Sequence, residues 1–145
     1  MEDRKVFDVE GHQVACLKMD ARTSLHFAVR AGVFAGPILT AIATAGDGGG
    51  ERAVVEAVGA ALMAALGDIE RADAAEKFIS DIIGSGFTVI DGTKIHSIDD
   101  LNQFNADPLL LSFEIVKGHV SLSIAPALGK IAGGLVGSSG AADPS

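Results

Sequence analysis

Two short apolar segments, each broken at a glycine turn and followed by an acidic helix start, divide a chain that is otherwise patterned for helix. The first runs Val6-Phe7-Asp8-Val9-Glu10-Gly11-His12-Gln13-Val14 and the second Phe87-Thr88-Val89-Ile90-Asp91-Gly92-Thr93-Lys94-Ile95. Phe7 and Val9 alternate with Asp8 and Glu10, the period-two pattern of a strand with one wet face. Gly11 supplies the positive φ that a tight hairpin turn needs, and Asp91-Gly92 is a strong type I′ signal. The chain must therefore fold as helices arranged around hairpins. The class expected is mainly α with two short β-hairpins, an α+β fold built on a small helical bundle. The two segments share Phe-x-Val, a turn glycine and a following Asp, but recurrent hairpin chemistry explains this without an internal duplication.

The helices follow from apolar spacing and end signals. Asp20 can cap a helix predicted over 20–35, in which Leu25, Ala28, Val29, Gly32 and Val33 form one apolar side and Phe27, Ala31 and Phe34 a second. Arg22, His26 and Arg30 form a polar row between them. A surface helix needs only one apolar side, so this one is central in the bundle or touches a partner. Gly36-Pro37 is expected to stop or kink it, with a short helix resuming through Thr44, and 46–50 reads as a glycine loop.

Val54, Val55, Val58, Leu62 and Leu66 recur at helical spacing over 51–66. A further helix directs Ala75, Phe78, Ile79, Ile82 and Ile83 inward and ends at Gly84-Ser85-Gly86. A helical turn opens at Ile98-Asp99-Asp100-Leu101. Asp107-Pro108 reads as a cap followed by proline at the first helical position, and the longest helix is expected to start there. Its main stripe is Leu109, Phe113, Val116, Val120 and Ile124, and Leu111, Ile115 and Leu122 make another. The domain is expected over 1–131, with 132–145 as a flexible Gly/Ser/Ala-rich tail.

The totals exclude several function classes. At 145 residues the chain can bury one self-supporting core. Nineteen acidic against eleven basic residues, net −8, oppose a phosphate-tracking surface, so no nucleic acid is expected as partner. One cysteine, Cys16, rules out an intrachain disulfide framework or a multi-cysteine zinc site, and the charged N-terminus followed by a strand pattern is not a secretory signal. Residues 31–46 carry no charge and include Gly32 and Gly36 at small-xxx-small spacing, but they are too short to span and are interrupted by Pro37, so no stable membrane insertion is expected.

Nothing in the chain assembles into catalytic chemistry. Cys16 falls in a hairpin, where a buried structural thiol is the ordinary outcome. Gly137-Ser138-Ser139-Gly140 lacks the strand-to-helix context of a nucleophile elbow. Gly129-Lys130 lacks both the first glycine and the hydroxyl of a phosphate loop, and Gly84-Ser85-Gly86 lacks the third glycine of a dinucleotide fingerprint. His12, His26, His96 and His119 lie one per element, without metal-ligand spacing. Asp99 and Asp100 are sufficiently explained by capping. The expectation is no enzyme, with no catalytic, cofactor-binding or metal residues and no cofactor.

The order of these elements resembles the tail assembly chaperones of long-tailed bacteriophages and prophages. The likeness rests on Phe7-Asp8-Val9-Glu10-Gly11, Gly36-Pro37, the helical pair over 51–83, Val89-Ile90-Asp91-Gly92, and Phe104-Asn105-Ala106-Asp107-Pro108 ahead of a long apolar helix. It covers about residues 5–131. The Gly/Ala-rich extension beyond 131 departs from the family pattern.

The resemblance implies a non-enzymatic protein of the bacterial host cytoplasm that binds the tape measure protein until tail tube protein replaces it, and it leaves self-association into a homo-oligomer open. Members of the family are often made in two forms, the longer by ribosomal frameshifting. Partner contact is assigned to the second apolar sides, Phe27, Ala31 and Phe34 on the first helix and Leu111, Ile115 and Leu122 on the last, sides that a compact bundle would use equally well as core. Two other readings stay open: a virion structural adaptor, and a membrane-active or immunity-type helical protein built around 31–46.

Overall fold

A computed structural model describes residues 3–45 and 50–128, with side chains described for 3–33 and 55–128. The element order is β1 (Arg4–Val9), β2 (His12–Leu17), α1 (Ala21–Ala45), α2 (Gly50–Leu66), α3 (Ala72–Ile83), β3 (Thr88–Ile90), β4 (Thr93–Lys94), a 3-10 helix (Ile98–Gln103), and α4 (Pro108–His119) running into a π-helical stretch (Val120–Ile124). The fold is α+β, as expected. The expected tail and the glycines of 46–49 lie outside the described residues.

The two hairpins join into one antiparallel sheet of order β1-β2-β3-β4. Val14 pairs with Ile90 and Cys16 with Thr88, so the side chains of Val9, Val14, Cys16, Thr88 and Ile90 fall on one buried face. Both turns hold positive φ at their two central residues, Glu10 and Gly11 in one and Asp91 and Gly92 in the other, which is the type I′ pattern. The turns are also tied to each other. The Asp91 carboxylate meets His12 Nδ1 at 2.6 Å and accepts from the Gln13 N–H at 2.8 Å. Glu10 Oε1 accepts from the Asp107 N–H at 2.8 Å, which brings the first turn to the start of α4.

The helix starts form where the caps predict. Asp20 accepts from the Thr23 N–H at 2.7 Å, and Asp107 accepts from the Leu109 N–H at 2.9 Å ahead of Pro108. Asp100 accepts from the His96 and Ser97 N–H groups ahead of the 3-10 turn. In α3 the buried positions are Ala75, Phe78, Ile79, Ile82 and Ile83, the set read from periodicity. α4 packs across the sheet, and α1, α2 and α3 enclose it with the π-helical stretch.

Gly36-Pro37 does not interrupt the first helix: α1 runs unbroken over Ala21–Ala45. Proline removes the N–H that would bond the carbonyl of Val33, four residues back. That carbonyl instead accepts from Arg71 Nη2 at 3.4 Å, so a side chain beyond α2 supplies what the proline withholds. The helix that starts at Pro108 continues through the π-helical stretch to Leu128, the last described residue, so the expectation that it is the longest helix turns on residues outside those described.

The last helix departs from plain α geometry at Val120–Ile124. Buried side chains step by four at Leu111, Ile115 and His119, then by five to Ile124; Val116 and Val120 are likewise followed by Ala125. The π turn's extra residue rotates Leu122 off the line it would have occupied in an unbroken α-helix, and it is only half-buried. Gly118 permits close approach to the sheet, because a Cβ there would stand 2.7 Å from Cys16 Sγ and 2.9 Å from Phe7 Cε1. Ser121 accepts from Lys5 Nζ at 2.8 Å, and Ser123 accepts from the Met19 N–H at 3.0 Å. The π stretch thus fastens both β1 and the link from β2 to α1.

Candidate partner-binding surface

α1 carries the clearest outward apolar feature. Leu25, Val29 and Val33, at i, i+4 and i+8, are 50%, 59% and 72% exposed, while Phe27, Ala28 and Ala31 on the opposite side are buried. At about 100° per residue Arg22 projects between Val29 and Val33, with His26 and Arg30 next along the same side. Arg22 and His26 are exposed. Arg30 is fixed against α3: its guanidinium lies over the rings of Phe27 and Phe78, at 5.7 and 5.3 Å, and donates to Asp81 at 2.8 Å. Arg71 stands at the Val33 end through its bond to that carbonyl.

Of the six positions assigned to partner contact, four are buried in the fold. Phe27, Ala31, Leu111 and Ile115 are core residues here, enclosed with Phe78, Ile82 and Leu62. Leu122 is half-buried, and the Phe34 side chain lies outside the described residues. On α1 it is Leu25, Val29 and Val33 of the other apolar side that face outward, while Ala28 of that side is buried with Phe27 and Ala31. The signal was present in the sequence: Arg22 falls inside the Leu25-Val29-Val33 row, and a guanidinium cannot enter an apolar core unpaired, whereas the Phe27 side has only Ser24 to bury.

Two neighbouring concavities, both lined by Val55 and Lys117, lie beside α2 and α4. The wide one, about 740 Å³ and reaching β1, is bordered by Lys5, Asp8, Glu56, Glu114 and Lys117. The other, about 300 Å³ and apolar, lies where Gly59, Met63 and Phe113 meet. Several polar groups of the wide concavity bond to one another or to the wall: Lys117 to Glu114 at 2.9 Å, and Lys5 to Ser121 at 2.8 Å. They do not converge on a common point as the polar groups of a small-molecule site do.

The interior holds two groups with displaced titration. Burial pushes the Cys16 thiol up to about 12, so it stays protonated and unreactive beside the Ile115 carbonyl. Burial pushes His119 down to about 4; its Nε2 shares a hydrogen bond with Thr88 Oγ1 at 2.8 Å, and its Nδ1 has no partner among the described residues. Sequence spacing could not single out His119, because its hydrogen-bond partner Thr88 lies 31 residues away on β3. Among the described residues no three His, Cys, Asp or Glu side chains gather into a metal-holding group. One described helix, Pro108–Leu128, is long and apolar enough to cross a membrane, and 61% of its apolar window is buried inside the fold, as befits a core helix.

Comparison with protein-family models, curated proteins and solved structures finds no match to this chain. The fold and the surface are therefore what define it: a small α+β protein whose first helix shows an aliphatic row beside a basic one.

Proposed function

We propose that this chain is a non-enzymatic assembly chaperone of the phage-tail type, acting in the host cytoplasm and holding a long, apolar helical partner, the tape measure protein, until tail tube subunits take its place. The observation that carries this reading is the exposed row Leu25, Val29 and Val33 on a helix that buries its other side in the core. Such a row offers an aggregation-prone helix a seam of branched aliphatic side chains without requiring the chaperone to unfold. The order of hairpins, caps and proline-bearing helices along the chain supports the same reading.

The test is co-expression with the adjacent tape measure protein. The native chain should keep that protein soluble and co-purify with it. Leu25→Ser with Val29→Ser should abolish rescue while leaving the far-ultraviolet circular dichroism in place and lowering the melting temperature by only a few degrees, because both side chains are at least half exposed. A partner that stays insoluble with the native chain would refute the reading.

A further inference from the structure

Resting on that reading, we infer that the segment of the partner seated on α1 is an amphipathic helix whose apolar face is flanked by carboxylates. α1 contains no Asp or Glu between Ala21 and Ala45, although the whole chain carries net −8. Three of the chain's five arginines border the aliphatic row instead: Arg22 near its start, Arg30 beside its middle, and Arg71 at the Val33 carbonyl. His26 adds an exposed imidazole on the same side. The row is an i, i+4, i+8 ridge inclined to the helix axis and extends about 12 Å from residue 25 to 33 at 1.5 Å per residue, roughly two turns. Arg30 and Arg71 already serve Asp81 and the Val33 carbonyl, so an incoming helix with apolar residues at matching spacing fills that seam while Glu or Asp on its flank meets the exposed Arg22 and His26.

The fold already contains one small instance of this pairing. Asp81 on α3 takes Arg30 at 2.8 Å while the Phe78 ring, one turn before it, packs under the same guanidinium. The outward side of α3 does not supply the complement in a second copy, because it presents Asp73, Glu76 and Lys77 with no large apolar residue among them, and self-association of the free chain through another face, seen as a dimer in sedimentation, would overturn the inference. An anionic lipid surface is opposed by the net −8 of the chain.

The experiment uses the full chain and two synthetic helical peptides of about 20 residues, with the same leucine face but glutamate or lysine flanks. Fluorescence anisotropy should show the glutamate peptide binding at least about tenfold more tightly than the lysine peptide, with the preference shrinking as salt is raised. Arg22→Glu combined with His26→Glu should reverse the preference by a similar factor. Both substitutions sit in the exposed first turns of α1, where carboxylates suit the helix dipole, so the fold is retained. Equal binding of both peptides, binding of neither, or flotation with phosphatidylglycerol vesicles in preference to peptide would each overturn the inference. If the native chain nevertheless keeps the tape measure protein soluble, only the carboxylate-flanked partner is lost; if that rescue also fails, the chaperone reading falls with it.

Discussion

Substitution of His119 by glutamine should remove a large acid-linked loss of stability. His119 is fully buried, bonded through Nε2 to Thr88, and its folded-state pKa is about 4 against 6.5 for the free side chain. Above pH 6.5 both states carry the neutral ring and there is no cost. As pH falls from 6.5 to 4 the unfolded chain takes up a proton that the folded protein refuses, so stability falls. Below 4 both states are protonated and the loss stops growing. At about 1.4 kcal/mol per pH unit the interval amounts to about 3 kcal/mol, a sizeable part of the roughly 5–15 kcal/mol that holds a domain together.

Glutamine places an amide near Nε2 and keeps the Thr88 bond without titrating. Its own mismatch with the site is the same at every pH, so the comparison rests on a difference of differences. Urea unfolding of both proteins at pH 7.5, 5.5 and 4 should show the native-minus-variant difference shrinking by about 1.4 kcal/mol by pH 5.5 and by about 3 kcal/mol by pH 4. Curves that stay parallel throughout would refute the reasoning, since they would mean that the folded protein accepts the proton as readily as the unfolded one.

Two further outcomes follow from the same packing. Gly118→Ala should destabilise by about 1–2 kcal/mol: overpacking against Cys16 Sγ and Phe7 outweighs the roughly 1 kcal/mol that alanine gains over glycine in a helix, and Cys16→Ala in the same chain should restore part of the loss in a double-mutant cycle. The His12 imidazole should titrate above 6.5 by NMR, because the Asp91 carboxylate hydrogen-bonds its charged form, and Asp91→Asn should bring it back down. The carboxyl of Asp91 is in turn held below its ordinary range by His12. The charge-assisted contact of His12 with Asp91 is therefore strongest between the two pKa values, weakening upward as His12 deprotonates and downward as Asp91 protonates, while the Gln13 N–H bond to Asp91 does not depend on His12.

Local chemistry was legible in the sequence and cross-chain chemistry was not. The Asp20 and Asp107 caps, the Asp91-Gly92 turn and the five inward positions of α3 all depend on residues within a few places of one another, and all formed as read. α1 passes through Pro37 while Arg71, 38 residues from Val33, supplies a donor to the carbonyl that proline leaves unbonded. The π turn that moves Leu122 aside is accompanied by Ser121 and Ser123, which reach Lys5 and Met19 more than a hundred positions away. The exposed row on α1 lay between these cases. Its residues were identified as apolar, but which of the two sides faced outward turned on the place of Arg22 within the row.

The most direct test of the account is photo-crosslinking from α1 itself. A photoreactive phenylalanine analogue at position 29, in the full chain co-expressed with the tape measure protein, should crosslink to that partner, and the same group at position 76 on the outward side of α3 should not. Crosslinking from position 63, at the groove between α2 and α4, with none from position 29, would contradict the claim that the partner seats along Leu25, Val29 and Val33.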